Sequence, residues 1–157
     1  MDGRDKLLVN ELTKLLLGGG AHVTLRGALK GLPPELRGVK PHRMPYSIWQ
    51  LLEHIRIAQW DMFQFCKDEN HKSPKWPDEY WSEKNAPDDD SEWNASLVQI
   101  ENDLEGFIEL MEHSDIYQIL PHGEGQTILR EALQIADHNS YHIGEIIAIR
   151  RALNAWD

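Results

Sequence analysis

Apolar residues recur at three- and four-residue spacing through four long stretches of the chain, and in no stretch do they alternate. That period belongs to helices with one buried face, not to strands. Leu7, Leu8, Leu12, Leu15 and Leu16 mark a helix over 2–17, with Asp2 or Asp5 as its cap and Gly18-Gly19-Gly20 as its stop. Val23, Leu25, Ala28 and Leu29 mark a short helix over 23–31, capped by Thr24 and closed by Pro33-Pro34. Ser47 caps a long stripe of Ile48, Leu51, Leu52, Ile55, Ala58 and Met62 that runs to about Lys67. Leu97, Ile100, Leu104, Ile108 and Met111 carry the pattern from Asp90 or Ser91 to His113-Ser114. Thr127 caps the last helix, which reaches about Leu153. Four long amphipathic helices predict an all-α fold, a four-helix bundle. The links after the first and second long helices are too long for plain hairpins, so the bundle has long crossover loops. The 157 residues suit one domain spanning 1–157.

Residues 70–91 are rich in Pro, Asp, Lys and Trp and predict a long loop, pinned by Trp76, Tyr80 and Trp81. Met62 and Met111 fall on apolar faces and are expected in the core. The chain has 16 Lys and Arg against 26 Asp and Glu, a formal charge of −10. That balance argues against nucleic acid as a partner, which needs a basic face, and against anionic membrane surfaces. No apolar run approaches the length of a membrane span. The first residues show no signal-peptide pattern and the one cysteine, Cys66, has no internal partner, so a reducing cytoplasm is the expected compartment. Cys66 is expected to be a buried small hydrophobe, since nothing beside it activates a thiol.

The chemistry concentrates in the last helix. His138 and His142 stand four residues apart, about one turn, and share a narrow stripe with Glu131 and Glu145. That spacing lets both imidazoles reach one metal ion, but two histidines alone are a common coincidence. His54 lies inside the apolar stripe of the 48–67 helix and is the best third ligand, with Asp61 close to the same face. Three histidines would leave a coordination position open for water or substrate. Glu145 and Asp61 are the candidate proton acceptors. The chain has no HExxH pair and no Glu three residues before His138, which removes support for that peptidase chemistry and for a di-iron carboxylate site. His42, His71, His113 and His122 fall in loops or at a helix end and are expected at the surface, with His122 able to line the mouth of the site. Asp88-Asp89-Asp90 lacks calcium-loop spacing and suits a helix start.

Three stretches together resemble the DinB-like proteins, the DinB/YfiT superfamily. They are Ser47-Ile48-Trp49-Gln50-Leu51-Leu52-Glu53-His54-Ile55, Gly123-Glu124-Gly125-Gln126-Thr127-Ile128-Leu129-Arg130-Glu131-Ala132-Leu133 and Ala136-Asp137-His138-Asn139-Ser140-Tyr141-His142-Ile143-Gly144-Glu145. The resemblance implies a four-helix bundle with long crossovers. It also implies a nickel or zinc ion held by one histidine of the second long helix and two of the last, here His54, His138 and His142. Some members of that superfamily are thiol S-transferases or isomerases that use bacillithiol or mycothiol, and dimers are common. Many members carry Gln where this chain has Glu145, so substrate preference does not transfer. The expected function is a metal-dependent transferase or hydrolase for a small molecule, with a low-molecular-weight thiol as one substrate. Cationic groups would be expected near the mouth in the thiol case. The alternatives are a non-catalytic, stress-associated metal-binding bundle and a homodimeric interaction module.

Overall fold

The computed structural model describes residues 3–156. Five helices form in order: α1 (Gly3–Leu17), α2 (Leu25–Leu29), α3 (Ile48–Lys67), α4 (Asp90–His113) and α5 (Ile128–Ala152). Among the described residues there is no strand, only an isolated bridge between Ile119 and Thr127. The fold is all-α, as the periodicity predicts.

Local chemistry sets the helix starts. Ser47 accepts from Gln50 N while the Gln50 side chain accepts from Ser47 N, a reciprocal box that fixes the first turn of α3. Asp89 caps α4 by accepting from Glu92 N at 2.9 Å, and Thr127 caps α5 by accepting from Arg130 N at 3.1 Å. Thr24 caps α2 in the same way through Gly27 N at 3.0 Å. Of the two expected caps of α1, Asp2 lies outside the described residues and Asp5 sits inside the first turn. There its charge complements the positive end of the helix dipole. Gly18 and Gly19 end α1 with φ of 70° and 84°, a left-handed conformation that disfavours a Cβ.

α3 packs on α4 and on α5, and α1 packs on the same two helices. The short α2 lies against α5. The buried side chains form two clusters. One gathers Trp49, Leu52, Ile55, Ile100 and Ile146 with α2. The other gathers Leu12, Phe107, Met111 and Ile135 with α1. On α3 and α5 a polar pair falls between them: Gln59, fully buried, donates to Ile100 O at 2.6 Å and accepts from Asn139 Nδ2 at 2.8 Å. This bridge joins α3, α4 and α5 at one level. Met111 is fully buried as expected, whereas Met62 is only half-buried and borders the cleft described below.

The crossover between α3 and α4, residues 68–89, folds back over the start of α3. Ser47 Oγ donates to Asn85 O at 2.5 Å and Gln50 Nε2 donates to Ser82 O at 3.0 Å. A Cβ on Gly38 would stand 2.4 Å from the Ala86 Cβ, so the two crossovers touch only because residue 38 is glycine. Trp81 stacks flat on Tyr46 with ring centroids 3.8 Å apart, and Tyr80 bonds Asp61 Oδ2 at 2.5 Å. Those two residues pin the loop as predicted. Trp76 does not: it is 72% exposed and meets Tyr80 edge-on.

Replacing Gln59 with Leu keeps the volume but leaves the Asn139 amide without its partner. The expected cost is about 1–3 kcal/mol, read as a lower urea midpoint with helix content unchanged.

Candidate metal centre

α3 delivers His54 and α5 delivers His138 and His142, one helical turn apart. The three rings meet with centroids 4.5–4.8 Å from one another. One ligand nitrogen from each falls within 4.8 Å of the other two. His54 Nε2 and His138 Nε2 stand 3.0 Å apart. His54 and His142 are buried and His138 is half-buried.

Hydrogen bonds set the tautomers. His54 Nδ1 lies 2.9 Å from Tyr80 O, and a carbonyl only accepts, so Nδ1 carries the proton and Nε2 the lone pair. His142 Nδ1 lies 2.7 Å from Glu145 Oε2, which leaves its Nε2 as the bare nitrogen in the same way. Burial pushes His138 and His142 down to about 4, with neighbouring imidazoles adding to the effect, and burial also lowers His54. All three rings are therefore neutral at pH 7, the form that ligates metal. Zn–N bonds of about 2.0–2.1 Å around a tetrahedral ion would set ligand nitrogens roughly 3.3 Å apart. The His54 and His138 nitrogens, 3.0 Å apart, are close to that spacing, all three residues offer a nitrogen within 4.8 Å of the others, and the neutral donor set suits such an ion. The N–H bonds to a carbonyl and a carboxylate are the outer partners that orient metal-binding histidines.

The cluster borders a cleft of about 470 Å³. All five residues singled out from the sequence line it: His54, His138, His142, Asp61 and Glu145. Their surroundings differ. Glu145 is partly exposed, bonds His142, and burial raises its pKa. Asp61 is buried with both oxygens engaged, Oδ1 by His71 Nε2 at 2.8 Å and Oδ2 by Tyr80 O–H. Glu131, the fourth member of the helical stripe, is buried and does not border the cleft; it raises the pKa of Cys66, which burial chiefly pushes up to about 12.

Two loop histidines depart from expectation. His71, predicted at the surface, has a side chain only 9% exposed because it bonds Asp61 and meets Trp60 edge-on. His122 does not reach the mouth: it bonds Phe65 O at 2.7 Å. His42 and His113 are exposed as predicted. Sequence reasoning named Trp81 only as a pin of the loop and missed that it stacks flat on His54 at 3.8 Å, covering that ring from the loop side. It also missed Tyr80 O as the partner of His54 and His22, whose Nε2 meets Ser140 Oγ at 3.0 Å. The tryptophans of the 70–91 loop were the only sign of the first, and a backbone carbonyl leaves no sign at all.

A family model described as the DinB superfamily matches residues 21–146, which include all five site residues. No curated protein and no solved structure matches the chain.

The neutral imidazoles give a signed pH dependence to the chelator-treated protein. The unfolded chain takes up protons at His138 below its ordinary value of 6.5, while the folded chain resists until about 4. Stability should therefore fall as pH drops across that window, by on the order of 3 kcal/mol for this residue, and level off below it. Urea midpoints at pH 7 and pH 4.5 should differ more in the native chain than in His138→Gln; equal differences would contradict the buried neutral ring.

Proposed function

The chain belongs to the DinB superfamily, and on that premise we propose that it is a metal-dependent transferase or hydrolase acting on a small molecule. The proposed ligands of one divalent transition ion, zinc or nickel, are His54, His138 and His142. One observation carries the reading: three neutral imidazoles converge at the wall of a cleft, with the ring protons of two of them turned away into fixed acceptors. Three protein donors leave room for a further ligand from the cleft side. Such an ion lowers the pKa of a water or thiol bound to it and polarises a carbonyl.

The remaining roles follow from contacts of this chain. Glu145 orients His142 through Nδ1–H, and its carboxylate also borders the cleft, so it is the proposed proton acceptor. Its raised pKa brings it closer to that task than an exposed glutamate. Asp61, with both oxygens occupied, positions rather than accepts: it holds the Tyr80 hydroxyl, and the Tyr80 carbonyl holds His54. Trp81 shields His54 from water on one face. Thiol S-transfer is the narrower form of the reading, and the cationic groups it calls for at the mouth are not among the described residues that line the cleft, so the broader reading is the one proposed.

Metal analysis of the purified protein should find about one transition metal per chain. His138→Ala should lose it, with affinity down at least tenfold and the fold retained by circular dichroism. Undiminished metal in that variant would overturn the ligand assignment. An ion retained by the native chain but closed to an added small ligand would favour a structural role instead.

A further inference from the structure

We infer that the substrate of this cleft has a flat, apolar body that carries no negative charge, an inference that rests on the metal reading above. Two independent features of the wall point to it.

The first is aromatic surface. Five of the twelve lining residues are Tyr or Trp. Two of them face water: Trp76 from the loop is 72% exposed and Tyr141 from α5 is 65% exposed. Each meets one neighbouring ring steeply tilted to its own, Trp76 with Tyr80 at 5.5 Å and Tyr141 with His142 at 5.0 Å. Both line the cleft with much of their ring surface exposed, so a ring or an alkyl group entering it can pack on them, and stacking of that kind stabilises a bound ring.

The second is charge. The carboxylates of Asp61 and Glu145 line the cleft, and no Lys or Arg does so among the described residues. A divalent ion would bring two positive charges, which the two carboxylates offset. It would still attract the donor group that reaches it. A second anionic group on the substrate would lose water beside two carboxylates and find no cation in return. The chain's charge of −10 opposes the approach of anions as well. A cationic body meets neither penalty and gains from the aromatic faces.

The test uses the metal-loaded protein and three matched probes: benzohydroxamic acid and its 4-carboxy and 4-trimethylammonio derivatives. Dissociation constants are read from tryptophan fluorescence and calorimetry. The carboxy probe should bind at least tenfold more weakly than the other two. Trp76→Ala, a substitution at an exposed position, should weaken the uncharged probe by about tenfold with metal content unchanged. A carboxy probe that binds as tightly as the uncharged one overturns the inference, and so does Trp76→Ala binding all three probes like the native chain. Metal content is measured on the same samples: a chain without metal overturns the metal reading, whereas a loaded chain that prefers the carboxylate overturns the present inference alone.

Discussion

Three imidazoles buried side by side cannot all be charged, and much of the site follows from that constraint. Desolvation and mutual repulsion hold the rings neutral. A neutral ring has one N–H to place and one lone pair to aim. His54 places its proton on the Tyr80 carbonyl and His142 places its own on Glu145. Both acceptors use the Nδ1 side, so the Nε2 lone pairs are left for the interior of the cluster. The acceptors come from different sources, a loop backbone and the next turn of the same helix. The loop is therefore part of the site and not merely a cover for it.

Several contacts keep that loop in place. Asp61 on α3 holds the Tyr80 hydroxyl and His71, residues at the two ends of one loop segment. Trp81 lies between Tyr46 and His54, parallel to both. Together these contacts hold the segment whose Tyr80 carbonyl orients His54. The polar residues that looked like separate candidates along the sequence thus act in sequence in space, from His71 through Asp61 and Tyr80 to His54.

The helices supply rigidity and the loop supplies character. α3 and α5 pack directly, and the Gln59–Asn139 bridge ties them to α4 near the level of the cluster. Ligands on packed helices keep their separation better than ligands on loops. The aromatic wall, by contrast, comes mostly from the crossover regions, through Tyr46, Trp76, Tyr80 and Trp81. The three histidines thus sit on packed helices and most of the aromatic wall on the crossovers, while Tyr80 and Trp81 belong to both because they also hold His54.

Helix positions, caps and the three histidines were legible in the sequence because their signals are local and periodic. Ser47, Thr24 and Thr127 cap where they were expected, and His138 and His142 share a face because a helix repeats every 3.6 residues. His54 was legible as a polar intruder in an apolar stripe. The sequence by itself thus determined the all-α fold, the helix faces and the residues that could meet at one site. Only tertiary structure decided which side chains serve that site and how. Glu131 and Glu145 share one stripe, yet Glu131 is buried away from the cleft and Glu145 borders it. His71 and His122 look alike in sequence, yet one bonds Asp61 and the other a distant carbonyl. The reason is that loop paths, aromatic stacking and backbone acceptors have no period, so their partners are set only when the crossovers close over the packed helices.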